Sequence, residues 1–395
     1  MKRTEILQEV RQMRFEEVYK GWIARRLTQE EAAQVLGVCD RTFRRLIGCY
    51  EDDGTEGLMD KRVTSAAARR APVDEVLKLT SLYKSRYQEW SVKHFYAHYR
   101  RSDGKRSYTW VKNNLQAARL VPKTKKSGVH RKRREPSPLP GMMLHQDGST
   151  HEWVDGKMWD LIVTMDDATN EHYSMFLVDE EGTASSFKGV RDVIDRKGLF
   201  SSLYTDRGSH YWNTPEAGGK VDKGNLTQFG RAMRHLGIDM IAAYSPEARG
   251  RSERAFQTHQ GRLPKELALH NIITMEAANR YLAEVYMPEF NEEFKQKAIQ
   301  EGSAFVPLVA AVDLNDILCE QYDRTVGNDN CVSFEGIILQ IPEGEYRYSY
   351  VKAKVRVHRY ADGSMAVFHG PRKLADYDFK GQLKERNMER KKTAT

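Results

Sequence analysis

The chain has 395 residues, enough for two to four domains rather than one core. Hydrophobic residues make up 40% and charged residues 30%, the profile of a globular protein with ample core material, and no run of about 18 apolar residues reads as a membrane span. The opening MKRTEILQEVRQ lacks the apolar stretch of a secretory signal. Cys39, Cys49, Cys319 and Cys331 fall in no CxxC pair and no Cys/His zinc spacing, so the expectation is a reduced, cytoplasmic protein. A net charge of +8 admits a polyanionic partner, and where that charge sits decides more than its size.

Residues 1–62 read as a helical domain. Thr28 is the expected N-cap of a helix, with Glu31 three residues on completing a capping box and Gly37 stopping it. A second helix follows from Cys39 to Tyr50. Two short helices about a glycine turn form a helix-turn-helix pattern, in which Phe43, Leu46 and Ile47 pack inward and Arg41, Thr42, Arg44 and Arg45 face a DNA groove. The plainer alternative is a helical hairpin with a solvated basic face. Residues 63–120 read as a second helical domain, opening at Pro72-Val73-Asp74 and continuing through Trp90–Arg100 and a Ser107-capped helix. Trp90, Tyr96 and Trp110 are expected in its core. Lys93, Arg100, Arg101, Lys105, Arg106 and Lys112 are expected to be exposed, either toward DNA or simply toward water.

Residues 121–140 read as a linker. Seven Lys or Arg lie between Val121 and Arg134 with no acid among them, and Pro136, Pro138 and Pro140 then oppose regular structure. Arg131, Lys132, Arg133 and Arg134 either track phosphates or are merely solvated.

From 141 to 270 the pattern is that of a mixed α/β sheet with helices on both faces. Strands are expected at Met142–Asp147, Met158–Met165, His172–Val178, Phe200–Thr205 and Ile238–Ala243. Helices are expected at Thr183–Lys197, Leu226–Leu236 and Gly250–Leu269. Residues 271–322 read as a helical connector. Residues 323–378 read as a small antiparallel β-barrel, with strands at Cys331–Phe334, Gly336–Gln340, Lys354–Arg359 and Met365–His369, and 379–395 as a charged tail.

Three carboxylates stand out in the core. Asp147 ends the first strand in His145-Gln146-Asp147-Gly148-Ser149. Asp206 ends the fourth in Thr205-Asp206-Arg207-Gly208-Ser209. Glu253 lies in the first turn of the long helix, after Ser245-Pro246-Glu247-Ala248-Arg249-Gly250-Arg251-Ser252. Each alone is an ordinary turn or cap residue in a chain with 55 acids. Together they could converge on a pair of divalent cations about 3.5–4 Å apart, the arrangement phosphoryl transfer uses. Among the competing acids, Asp166 and Asp167 read as Asx-turn residues, Glu247 sits in the irregular loop, and Asp155 and Asp160 read as surface or hairpin residues. His145 and His210 flank the two aspartates.

These segments resemble the catalytic core of DDE transposases of the retroviral-integrase superfamily. The glutamate string Ser245–Gln257 and the string Thr205–Ser209 look like two of that family's motifs. With Thr258-His259-Gln260-Gly261-Arg262-Leu263 added, the chain from about residue 20 to 375 is similar to bacterial insertion-sequence transposases of the ISNCY type. The resemblance implies a ribonuclease-H-like core in which Asp147, Asp206 and Glu253 are catalytic and bind two Mg²⁺ or Mn²⁺ ions. It further implies binding of double-stranded DNA at an element's terminal inverted repeats, metal-dependent nicking at the 3′ end, strand transfer into target DNA, and a homo-oligomer of at least two chains. Arg251 and Arg254 join the expected DNA contacts. The 46 residues between Asp206 and Glu253 exceed the retroviral-integrase spacing, and the excess falls in the Gly-rich stretch 213–225. A transcriptional regulator with an inert core, or a nuclease that hydrolyses without joining, would carry much of the same pattern.

Overall fold

A computed structural model describes residues 3–59, 71–123, 134–215, 219–244, 250–309, 313–344 and 347–384. The chain divides into two compact units, Met1–Leu82 and Tyr83–Thr395. In the first, α1 (Arg3–Ile23), α2 (Gln29–Leu36) and α3 (Asp40–Asp53) share one core of Phe15, Val18, Ala32, Ala33, Phe43 and Ile47. The capping box forms as read: the Glu31 amide donates to Thr28 Oγ1 at 3.2 Å, and the Thr28 amide donates back to the Glu31 carboxylate at 2.8 Å. Gly37 closes α2 at φ 67°, a left-handed conformation that costs glycine little, and the short turn delivers α3. Arg41, Arg44 and Arg45 stand exposed on α3. Thr42 is half-buried, its hydroxyl 3.2 Å from Cys39 Sγ. Helix α4 (Val73–Arg86) runs across the division between the units.

The second unit opens with α5 (Val92–Arg101) and α6 (Tyr108–Ala117), capped by Ser91 and Ser107. Trp90 is buried there with Tyr83, Tyr87 and Phe95, whereas Tyr96 and Trp110 are only half-buried. A five-stranded sheet follows, of β1 (Met143–Val154), β2 (Lys157–Asp166), β3 (His172–Val178), β4 (Ser202–Thr205) and β5 (Asp239–Ala242). Its order is β3-β2-β1-β4-β5, with β1–β2 and β2–β3 antiparallel and β1–β4 and β4–β5 parallel. One face is covered by α7 (Thr183–Lys197) and α8 (Gln228–Leu236) over Leu144, Phe187, Val190, Leu203, Phe229 and Met233. The other carries α9 (Gly250–Leu269), α10 (Met275–Tyr281) and α11 (Met287–Phe294) over Trp153, Leu161, Val163, Phe256, Leu263 and Tyr286. Both faces are therefore buried, and β2 accordingly reads Leu161-Ile162-Val163 rather than alternating. The proline stretch has no helix or strand, as expected, but it is held: the Gln300 and Ala304 amides donate to the Pro138 and Pro140 carbonyls at 3.0 and 2.8 Å.

After a short α12 (Leu314–Ile317) the C-terminal strands depart from the barrel read in the sequence. Strands β6 (Glu320–Thr325), β9 (Lys354–Arg359), β10 (Met365–His369) and β11 (Arg372–Tyr377) form an open sheet in the order β11-β10-β9-β6, and β7 (Cys331–Phe334) pairs only with β8 (Ile337–Gln340). A common core of Val332, Phe334, Leu339, Val355, Val357, Val367 and Tyr377 joins the two sheets by side-chain packing. Closure needs a continuous, staggered ladder, and among the described residues none links the hairpin to either edge of the four-stranded sheet. The sequence reading also lacked β6 and β11, both rich in charged residues. Among the described residues no helix is long and apolar enough to cross a membrane.

Candidate active site

The site is set by strand register. His145 on β1 lies opposite Tyr204 on the parallel strand β4, with their rings 5.1 Å apart. Two residues further along each strand come Asp147 and Asp206. Side chains repeat a face every second residue, so both carboxylates are carried to the same edge and the same face of the sheet. Asp147 is buried and Asp206 half-buried. Each folds back onto a following amide, Gly148 N donating to Asp147 Oδ1 at 3.2 Å and Gly208 N to Asp206 Oδ1 at 2.9 Å. These bonds fix Asp206 just past the end of β4 and Asp147 inside β1. The strand does not stop at Asp147 as read in the sequence, because its pairing with β2 continues through the Asp147 and Val163 pair to the hairpin at Val154.

Glu253 sits exposed in the first turn of α9. That helix lies along β1 on the face that carries Asp147. Gln260, two turns beyond Glu253 on the same stripe, donates to Ser149 Oγ at 3.0 Å, and Ser149 shares a strand face with Asp147. Arg251 donates to the Asp167 backbone carbonyl at 2.7 Å and to its carboxylate, which pins the start of α9 to the end of β2. Asp147, Asp206 and Glu253 do not form a trio with ligand atoms all within 4.8 Å of one another. Among the described residues, the trio of ligand atoms found within 4.8 Å of one another is a different one, His94, His98 and Glu266.

Two acids read as minor turn or surface residues do more. Asp167 is fully buried and accepts from Arg134, Arg251, His145 Nε2 (2.8 Å) and the Ser137 amide (2.7 Å). Burial raises its carboxyl, but the His145 hydrogen bond and charge, the Ser137 amide and Arg251 together outweigh that and hold it well below the ordinary carboxylate range. Asp160 is buried, not a surface residue, because it accepts from the Glu181 amide at 2.7 Å and so shapes the loop after β3. Asp166 fits its turn reading, accepting from the Thr169 amide and hydroxyl at 2.9 and 3.0 Å.

Glu181 is the site residue missed in the sequence. It stands in Asp179-Glu180-Glu181-Gly182, which reads as an acidic helix start. The fold swings it against β1: a Cβ placed on Gly148 would lie 2.2 Å from Glu181 Oε2, so a larger residue beside Asp147 would make this carboxylate shift. The Tyr211 hydroxyl lies 3.4 Å from Glu181 Oε1, as does His210 Nε2. Burial first, and then the charges of Glu181, Asp147 and Asp206, push the Tyr211 phenol far up. One buried tyrosine thus feels three carboxylates at once. No signal along the sequence joins Glu181 to Asp147, because β2 and β3 lie between them in the chain.

The expected DNA-facing residues are scattered. Arg131, Lys132 and Arg133 lie outside the described residues, as does 245–249 of the glutamate string. Arg134 reaches Asp167. Lys93 pairs with Glu293 at 3.3 Å and lies over the Phe294 ring. Arg254 is exposed beside Glu253. The 213–225 stretch is tied by an Asn213–Asp222 bridge and by Arg207 donating to the Gly219 carbonyl at 2.9 Å, while 216–218 lie outside the described residues.

No protein-family model matches the chain. It is 28% identical over 355 residues to a protein of Sinorhizobium fredii named as a transposase, y4bF, covering 89% of this chain and 77% of that one. It is 27% identical over 259 residues to the transposase for insertion sequence IS1202 of Streptococcus pneumoniae, covering 64% of this chain but only 55% of that protein. Among solved structures, a simian T-cell lymphotropic virus intasome in complex with a PP2A regulatory subunit matches at 16% identity and a TM-score of 0.34, over 73% of this chain and 91% of that one. The HTLV-2 integrase catalytic core with magnesium matches at 16% identity and a TM-score of 0.29, over 36% of this chain and 84% of that one. Superpositions this loose carry no weight, and the relationship rests on the two sequence matches. On those matches the chain is similar to bacterial proteins named as transposases.

Proposed function

We propose that the chain is a DNA transposase of the DDE type, a metal-dependent polynucleotidyl transferase. Asp147, Asp206 and Glu253 are its catalytic carboxylates. The observation that supports this reading is the β1–β4 register, in which Asp147 inside β1 and Asp206 just past β4 each follow the paired His145 and Tyr204 by two residues, with α9 laid along the same face. The donor set is carboxylate oxygen, which suits Mg²⁺ or Mn²⁺. Two such ions, when bound, would supply charge neutralisation for the attacking and leaving oxygens of a phosphodiester. Asp147 and Asp206 would hold them from β1 and the end of β4, Glu253 from the helix. α3, with Arg41, Thr42, Arg44 and Arg45, reads the terminal inverted repeats. Lys93, Arg131, Lys132, Arg133, Arg134, Arg251 and Arg254 supply further DNA contacts, where those already shared with Glu293 or Asp167 must exchange partners. The chain acts as a homo-oligomer, since two element ends must be held together. The relatives' names, transposase in both cases, support the same conclusion.

The test is strand transfer by the full chain with a labelled element end and Mg²⁺. Joined products that vanish on chelation are expected. Hydrolysis without joining would make the protein a nuclease, and binding with neither reaction would make it a regulator.

A further inference from the structure

About 20 Å along α9 from Glu253, by helical rise over 13 residues, a second cluster of metal-ligating groups lies away from the strand ends. His94 and His98 stand one turn apart on α5 and face the same way. Their Nε2 atoms reach the same oxygen, Glu266 Oε1 on α9, at 2.5 and 2.7 Å. All three ligand atoms lie within 4.8 Å of one another. The side chains of His94 and Glu266 are 2% and 5% exposed and that of His98 13%, so the cluster is closed from bulk water on most sides.

The rings are held before any ligand arrives. Trp90 stacks on His94 with centroids 3.9 Å apart and meets His98 edge-on at 5.0 Å. The other carboxylate oxygen, Oε2, accepts from the Tyr281 hydroxyl at 3.2 Å, which orients Glu266. Two imidazole nitrogens and one carboxylate oxygen, supported by aromatic packing and an outer hydrogen bond, are a donor set for a borderline-soft divalent ion. Tetrahedral zinc with bonds of about 2.0–2.2 Å separates its donors by about 3.3 Å. The present spacings open to that value with side-chain shifts of under about 1 Å.

We propose that His94, His98 and Glu266 bind one zinc ion that clamps α5 to α9, the helix that presents Glu253. The ion occupies the space now bridged by two N–H···O hydrogen bonds and neutralises a buried carboxylate. It adds to neighbouring links: Lys93 and Arg101 of α5 pair with Glu293 and Glu289 of α11, and Lys265 of α9 donates to the Glu89 carbonyl just before α5. It is distinct in place and in ligand chemistry from the Mg²⁺-type site at the strand ends and does not depend on that site's being catalytic.

The experiment is elemental analysis of the full chain, purified without an affinity tag or chelator, joined to thermal unfolding with and without added zinc. About one zinc per chain is expected, with a chelator-reversible rise in Tm. Replacement by Co²⁺ should give the visible absorption of a tetrahedral ion. His98→Gln and Glu266→Gln should lose the stoichiometric zinc and the Tm response. The Asp147→Asn/Asp206→Asn double variant should keep both. Absence of zinc and of any Tm response in the unaltered protein would overturn the proposal, whatever the variants do. So would zinc that survives in folded His98→Gln, or that disappears in the aspartate double variant.

Discussion

Asp167 and Asp206 lie just beyond the ends of β2 and β4, and Asp147 inside β1 of the same sheet, and their electrostatic surroundings differ. Asp167 is neutralised from within by Arg134, Arg251 and His145. Asp147 and Asp206 instead gather further negative charge, with Glu181 brought in until all three bear on Tyr211. A carboxylate that the protein has paired with its own cations is a fastening. On the proposed function, the carboxylates gathered round Tyr211 are the ones that take a cation from outside. The sequence reading weighed Asp166, Asp167 and the strand-end aspartates by turn context alone, and turn context does not separate them.

The largest effect expected from breaking this contrast is on chemistry. Asp147→Asn, Asp206→Asn and Glu253→Gln should each abolish nicking and strand transfer while leaving binding to element ends intact, as followed by gel shift and by labelled-end products. Near-normal strand transfer by any one of them removes that residue from the catalytic set. Asp167→Ala should instead act on stability. It leaves Arg134 and Arg251, which reach solvent, and the buried His145 without their shared acceptor, and a loss of about 1–3 kcal/mol in denaturant unfolding is expected. A loss under about 0.5 kcal/mol, the range of ordinary surface changes, would mean that Asp167 fastens nothing.

A further contrast lies beneath α9. The Tyr286 hydroxyl donates to His259 Nδ1 (3.1 Å), His259 Nε2–H to His172 Nε2 (3.1 Å), and His172 Nδ1–H to the Asn170 carbonyl (3.1 Å). This neutral chain has no place for an added proton. Burial pushes His172 down to about 4, and burial and then the charge of His172 push His259 down as well. The folded values lie below that of an unfolded histidine. Their contribution is therefore complete above about pH 6.5 and is lost as pH falls toward 4, at about 1.4 kcal/mol per pH unit for His172. Urea unfolding at pH 7 and pH 5 should show the loss, and His172→Asn should shrink it. An unchanged pH dependence in His172→Asn would contradict the assignment. The smallest effect is on sequence reading: Arg44→Ala or Arg45→Ala should cost about 1–3 kcal/mol on element ends and less on random DNA, if the residue makes a bidentate guanine contact. Equal losses on both DNAs would make it a phosphate contact.

Where local chemistry decides structure, the sequence was legible. Thr28, Glu31 and Gly37 form the cap and stop read from them, and the helices Thr183–Lys197 and Gly250–Leu269 begin and end where expected. The position of Asp206 just past β4 was legible for the same reason, but Asp147 was misplaced: Gly148 does not end the strand, and β1 runs on to Val154 paired with β2. What was not legible depends on distant packing. Glu181 comes to the site from the loop after β3, held by Asp160 and lying against Gly148. The cluster of His94, His98 and Glu266 joins residues 168 and 172 positions apart. The barrel was misread because the hairpin β7–β8 has the alternation of a barrel strand pair but joins the neighbouring sheet through side chains alone.

The central claim is that Asp206 touches a catalytic cation, and the most direct test is a change in which cation works. Asp206→Cys replaces a hard oxygen with a thiolate, which binds Mg²⁺ poorly and softer ions better. Single-turnover strand transfer should collapse in Mg²⁺ and recover at least in part in Mn²⁺, against a wild type that uses both. An Asp206→Cys variant that works in Mg²⁺ at the wild-type rate would contradict the account.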